Sequence, residues 1–520
     1  MAAIREKGAG TGRLLIALLL LLGLGGCAQL QPRPELPVES TLPVANDSEL
    51  DRATNGLESS HPGQSGFRLL VEGPEAFAVR AKSALRAARS LDVQTYIWHD
   101  DLTGLFLVHA LLEAADRGVK VRLLVDDMDA RAKNVGLAAL AAHPSISVRL
   151  FNPFASRSGT ASLIGEGLTS FDRVNRRMHN KTWIADNRIA IAGGRNIGNE
   201  YFGASDEVNF VDLDFAMIGP VVRDASASFD KYWNSPSAYP MEILDADNVS
   251  PGALDKLRVR LEANTAEARV SKYATALRED DAIKRLATGD WPMQWASHYQ
   301  FVSDNPLKVT MKELDAERTM VGATLFPAMQ SATSALTVIS PYFVPGDKGT
   351  AGLVKTAQTG KSVRILTNSL AANDVGAVHG GYSRHRKALL EGGVQLWELK
   401  PLPGATAHSS LFGSSGASLH TKALSIDAKA LFVGSYNLDP RSTWLNCEQG
   451  VLVENAVLAG QLETIFAAQT QSQSAWHVTL DEDHLHWSDG IEQFDSDPKA
   501  GAGKRFQAWL ARVLHIDAQL

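Results

Sequence analysis

His179-Asn180-Lys181-Thr182-Trp183-Ile184-Ala185-Asp186, then six residues and Gly193-Gly194-Arg195-Asn196, recurs 241 residues downstream as His420-Thr421-Lys422-Ala423-Leu424-Ser425-Ile426-Asp427, six residues and Gly434-Ser435-Tyr436-Asn437. Both copies follow the pattern HxKx4Dx6G[GS]xN. On a strand, residues i and i+2 point to one face, so each copy projects an imidazole and an ammonium together. Ile189-Ala190-Ile191-Ala192 reads as a second, buried strand, after which Gly193-Gly194 and Gly434-Ser435 allow a turn that brings Asn196 and Asn437 back. Two such halves facing each other form a bowl with two His, two Lys and two Asn.

The flanks of the motif are duplicated as well. Leu91-Asp92-Val93-Gln94-Thr95-Tyr96-Ile97 is matched by Leu336-Thr337-Val338-Ile339-Ser340-Pro341-Tyr342, and Lys120-Val121-Arg122-Leu123-Leu124-Val125 by Ser362-Val363-Arg364-Ile365-Leu366-Thr367. These β-branched runs have strand character, and Leu102 to Arg117 between the first two has helical apolar spacing. Strand, helix, strand predicts βαβ units. The expected fold is therefore α/β: two homologous domains, 67–240 and 301–500, each a mixed, largely parallel sheet flanked by helices, with the site at their pseudo-twofold interface. Residues 241–300 are expected to be a helical connector or insertion, and 501–520 an amphipathic C-terminal helix.

The 520 residues are 45% apolar and 21% charged, an ordinary globular composition. The net charge of −7 speaks against a nucleic-acid partner, whose phosphates are bound through a Lys/Arg excess. Residues 1–26 carry Arg5, Lys7 and Arg13 ahead of an apolar run from Leu14 to Leu24, as a signal peptide does; an uncleaved short anchor is the alternative. That run is shorter than the roughly 20 residues of a spanning helix. Leu24-Gly25-Gly26-Cys27 resembles a lipobox, which implies lipidation of Cys27 and an exported, membrane-anchored chain on the periplasmic face. Removing the signal, with its three basic residues and Glu6, deepens the charge to −9. Residues 27–66, rich in Pro, Ser and Asn, are expected to be a flexible tether. Cys447, the other cysteine, is expected to be a buried filler.

Paired imidazoles divide a displacement between a nucleophile and a general acid–base. Lysines and amides supply fixed donors for a phosphoryl group. No metal-ligand cluster or Walker-type loop is visible, so neither a cofactor nor a metal is expected.

With these residues in place, the chain is identified as a member of the phospholipase D superfamily by its duplicated HKD signature. Arg177-Met178-His179-Asn180-Lys181, Gly193 to Phe202, Arg149-Leu150-Phe151-Asn152-Pro153 and Asn437-Leu438-Asp439-Pro440-Arg441-Ser442 resemble the bacterial cardiolipin synthase C-type branch. The resemblance implies a two-step transfer through a phosphohistidine, with His179 as nucleophile and His420 as general acid then base. It implies that Lys181, Lys422, Asn196 and Asn437 hold phosphate oxygens. Asp186 and Asp427 complete the catalytic signature and are expected to brace it rather than touch substrate. Each histidine also needs an acceptor to set its tautomer. Candidates lie downstream in each half: Asp212 or Asp214 in the first, Glu448 in the second.

The implied partners are membrane phospholipids, and the implied reaction is phosphatidyl transfer to phosphatidylglycerol, forming cardiolipin, from phosphatidylethanolamine or a second phosphatidylglycerol. A phospholipase D that hydrolyses to phosphatidic acid uses the same residues. A noncatalytic membrane scaffold and a nuclease are weaker readings, the first because both motifs are intact, the second because of the charge. Lys504 to Leu514 places Phe506, Trp509, Leu510, Val513 and Leu514 at helical spacing among basic residues, which suits either a membrane interface or packing on the core.

Overall fold

The computed structural model describes residues 30–130, 136–155, 171–310, 319–373, 375–401 and 419–514. Residues 1–26, Cys27 and 515–520 therefore lie outside the described residues. The first sheet contains β1 (Ser65–Leu70), β2 (Ser90–Thr95), β3 (Lys120–Asp126), β4 (Ile146–Phe151), β5 (Thr182–Ala185), β6 (Ile189–Gly193), β7 (Asp214–Ile218), β8 (Ala238–Pro240) and β9 (Gln294–Ala296). Their order is β8-β4-β3-β2-β5-β6-β7-β1-β9. The second contains β10 (Tyr299–Ser303), β11 (Ala335–Ile339), β12 (Ser362–Asn368), β13 (Gln395–Leu399), β14 (Ala423–Ile426), β15 (Ala430–Gly434), β16 (Gln449–Glu454), β17 (Ala475–Asp481), β18 (His484–Ser488) and β19 (Gln493–Phe494). Their order is β10-β16-β15-β14-β11-β12-β13-β17-β18-β19.

The duplication is now explicit: β4-β3-β2-β5-β6-β7 and β13-β12-β11-β14-β15-β16 have the same order and the same directions. Both sheets are mixed and carry helices. Contrary to the expectation of largely parallel sheets, parallel pairing is confined to β2-β3-β4 and β11-β12-β13 among the described strands, because the motif hairpins and the strands beyond them pair antiparallel. The motif strands β5-β6 and β14-β15 are hairpins, and a short turn can only join antiparallel neighbours.

The two halves share one core. Phe67, Met178, Phe215, Phe229 and Trp233 of the first pack in a single cluster with Ile339, Leu366, Leu419, Cys447 and Val451 of the second. Cys447 is fully buried and burial pushes its thiol up to about 12, so it fills space.

Two boundaries differ from expectation. From residue 30 the expected tether is a strap held on the first domain. Arg33 donates to the Ala238 carbonyl at 2.7 Å, and Glu39 accepts from Lys120 at 2.7 Å, Arg149 at 2.9 Å and the Trp233 indole at 3.1 Å. Thr41 bonds Asp230, after which a helix runs over Glu49–Ser60. Its prolines favour extended backbone, while Glu39 meets basic groups on the sheet, which composition does not reveal. Residues 241–296 likewise belong to the first domain, and Tyr299 already opens β10 of the second sheet. The helix Pro251–Arg269 buries Leu254, Leu257 and Leu261 in that domain's core, and β9 pairs with β1.

Candidate active site

Each motif enters its hairpin from a short segment that bridges to the other half. Met178 pairs with Cys447 and Val211 with Leu419. The His179 amide donates to the Cys447 carbonyl at 2.8 Å, and the His420 amide to the Val211 carbonyl at 3.0 Å. These two bridges, related by the pseudo-twofold, hold both histidines at the seam between the sheets.

The carboxylate pairing crosses that seam. His179 Nδ1 lies 3.0 Å from Glu448 Oε2, and His420 Nδ1 lies 2.6 Å from Asp212 Oδ2. Pairing within each half, which the sequence order suggested, is therefore replaced by exchange between halves. Asp214 is not an orienting residue: its carboxylate is 3.0 Å from Arg80 and 3.3 Å from Arg195, all three buried. β7 begins only at Asp214, so Asp212 and Asp214 do not lie on one regular strand. With both Nδ1 atoms engaged, Nε2 is the ring nitrogen left for substrate.

The variable position of the motif is what accommodates each carboxylate. At Gly194 a Cβ would stand 2.2 Å from Asp212 Oδ1, so the glycine supplies room rather than a special backbone angle. At the matching place the Ser435 hydroxyl donates to Glu448 Oε2 at 2.5 Å, and Ser442 donates to Oε1 at 3.0 Å.

Burial pushes the His179 imidazole down to about 4, with Glu448 opposing and Lys181 assisting. His420 is held well below its ordinary value by burial, then by Lys422 and Lys181. Burial works to raise both carboxyls. At Asp212 it prevails, whereas at Glu448 the His179 ring, Lys181 and the Ser435 hydroxyl keep the group below its usual value. Lys181 falls to about 7 through burial and the nearby Lys422. Two buried lysines beside the two imidazoles make a site suited to an anion.

Tyr96 meets the His179 ring edge-on at 5.0 Å; Tyr201 does the same to His420 at 5.2 Å, and Phe210 stacks on it at 5.5 Å. Sequence reasoning left Tyr201 and Phe210 out because no spacing rule ties them to His420. The Asn196 amide donates to the Tyr201 hydroxyl, and its oxygen accepts from the Ile97 amide. Asn437 is also buried, its amide oxygen without a partner among the described residues.

Asp186 and Asp427 stand at the far ends of the motif strands, seven residues beyond the histidines, up to about 23 Å away at 3.3 Å per residue of extended chain. Asp186 accepts from the amides of Ala88, Arg89 and Ser90, and Asp427 from those of Thr333, Ser334 and Ala335. Each ties a motif hairpin to the start of the neighbouring strand, β2 or β11. Of possible metal ligands, His99, Asp101 and Glu200 lie together. Asp101 already accepts from Gly104, Thr103 and Asn199, so it serves as a helix cap.

A duplicated α/β fold with two crossed His–carboxylate pairs and two buried lysines defines a phosphodiester-transferring enzyme of the phospholipase D type. The family model described as "Cardiolipin synthase, PLD-like domain" matches residues 82–233 and 325–470, and the chain belongs to that family. It is a phospholipase D-family phosphatidyltransferase. It is 42% identical over 471 residues to Cardiolipin synthase C of Escherichia coli, covering 89% of this chain and 97% of that protein. It is 25% identical to Cardiolipin synthase A of Pseudomonas syringae, over 80% of this chain and 70% of that one. The crystal structure of a phosphatidylserine synthase from Haemophilus influenzae shares the fold, with a TM-score of 0.54 at 13% identity over 90% of this chain and 98% of that one.

Proposed function

We propose that the bowl forms cardiolipin by moving a phosphatidyl group from one phospholipid to a hydroxyl of phosphatidylglycerol. The crossed His–carboxylate pairs carry this reading, because they present two imidazoles from opposite halves to one phosphate. His179 Nε2 attacks phosphorus; the P–O bond to the donor headgroup breaks, and His420, which takes up a proton when the anionic phosphodiester binds, gives that proton to the leaving alcohol. The acceptor hydroxyl then returns a proton to His420 and attacks the phosphohistidine, releasing His179. Lys181, Lys422, Asn196 and Asn437 hold the non-bridging oxygens, the two amides by turning their NH2 groups to the incoming phosphate.

The assignment of His179 as nucleophile is supported by Glu448, which two serine hydroxyls and the ring keep ionised beside the charge that builds on a phosphorylated imidazole. The donor is phosphatidylethanolamine or a second phosphatidylglycerol, so that one phosphodiester is exchanged for another without a nucleotide. Lipidation at Cys27 and export would keep the bowl beside a bilayer.

The test is direct: full chain is incubated with phosphatidylglycerol bilayers with and without phosphatidylethanolamine, and products are read by mass spectrometry. Cardiolipin is expected, together with loss of turnover in His179→Ala and in His420→Ala. Phosphatidic acid without cardiolipin would establish the hydrolase instead, and retained turnover in either variant would overturn the two-histidine route.

A further inference from the structure

The helix Ala502–Leu514 is seated the wrong way round for a helix that serves the core. Its small residues face inward: Ala508 and Ala511 are buried, and they lie against the helix Gly376–Ser383. A Cβ at Gly380 would meet the Ala508 carbonyl at 2.4 Å and the Ala511 Cβ at 2.9 Å, so the two helices approach as closely as a glycine allows. Lys504 fixes the near end by donating to the carbonyls of Ala371 and Asn373, both at 2.8 Å.

On the opposite side, 100° per residue brings Phe506, Trp509, Leu510 and Leu514 to one face. These are 60%, 48%, 38% and 57% exposed. Phe506 and Trp509 stack on each other at 5.8 Å. Arg505 and Arg512 flank that face and the helix holds no acidic residue, although the chain as a whole is acidic. A buried small face and an exposed large apolar face with a basic flank is the arrangement of an interfacial helix.

The helix is connected to the bowl through short chains of contacts. The segment that receives Lys504 follows β12, whose last residue, Asn368, donates to the carbonyl of Leu419, the neighbour of His420. Val378 of the underlying helix packs with Val344, and Phe343 bridges to Leu438, the neighbour of Asn437.

We infer that the exposed face of Ala502–Leu514 docks on an anionic phospholipid bilayer and holds the active-site seam against the substrate surface. The basic flank supplies the charge complement that an acidic protein otherwise lacks toward phosphatidylglycerol. The apolar side chains enter the acyl boundary, and Trp509 takes the interfacial position common for that residue. This inference rests on the phospholipid-transfer reading for its purpose, though the docking itself is measured separately.

Full chain is reconstituted in phosphatidylglycerol vesicles containing lipids brominated along the acyl chain, and tryptophan quenching is compared with that of Trp509→Phe. Wild type is expected to show a quenched component that this variant lacks; identical quenching in the two would overturn docking. In parallel, Phe506→Ser/Leu510→Ser, which leaves Ala508, Ala511 and Lys504 in place, is assayed on vesicles and on short-chain phosphatidylglycerol dispersed as monomers. A loss of about tenfold or more on vesicles, with turnover of the monomeric lipid unchanged, is expected. An equal loss on both substrates would make the face structural, and no loss on vesicles would leave it without a membrane role. Conversion of a dimer to a monomer in sedimentation, with vesicle turnover kept, would assign the face to a second copy of the chain. Failure of wild type on either lipid, with Trp509 still quenched, would instead count against the phosphatidyl-transfer reading.

Discussion

Glu448 has two roles that can be separated by experiment. It fixes the His179 tautomer through Nδ1, and its charge raises an imidazole that burial otherwise lowers. Glu448→Gln keeps the shape and removes the charge, so turnover is expected to fall by about a hundred- to ten-thousand-fold. Because the lost anion was raising the His179 value, the acid limb of kcat/KM is expected to move to lower pH; an unmoved limb would reduce Glu448 to a scaffold. Lys181 sets the other limb. Its value of about 7 means that the free enzyme loses an ammonium as pH rises through neutrality, so kcat/KM should decline there. A bound phosphodiester adds an anion against Lys181, and the alkaline limb of kcat is expected to lie at higher pH than that of kcat/KM.

The hairpins are the elements that deliver these side chains, and their turns are unequal. Asp186 and Asn187 at one turn, and Asp427 and Ala428 at the other, all have positive φ, with 55° at Asn187 and 51° at Ala428. Such turns favour Asn and Gly, and alanine pays a Cβ penalty there. Ala428→Gly is accordingly expected to stabilise the protein by about 0.5–1 kcal/mol, read as a rise in denaturant midpoint with activity unchanged. A destabilised variant would show that chain entropy outweighs the relief. At this scale the sequence was most legible. The β-branched runs at Leu91, Lys120, Leu336 and Ser362, the apolar run Ile189–Ala192 and the helical spacing from Leu102 are local patterns, and the structure has a strand or helix at each. The strap at 30–48 was not legible, because the partners that order it, Lys120, Arg149, Asp230 and Trp233, lie far away in the chain.

For the whole molecule, the shared core and the exchanged carboxylates make the two halves one cooperative unit. Neither half has a histidine oriented by its own acid, and Met178 of one packs with Cys447 of the other. Calorimetric unfolding is therefore expected to show a single transition, with equal calorimetric and van't Hoff enthalpies. Two resolved transitions would mean that the seam adds little. The sequence by itself determined the duplication, the residue types of the bowl and the α/β class, since repeats and strand periodicity are properties of the chain read along its length. Only the tertiary structure decided which acid serves which histidine, that Asp214 binds arginines, and which face of the last helix is buried. Those outcomes depend on contacts between residues far apart in the chain, where packing and charge complementarity select among partners that sequence order leaves equivalent.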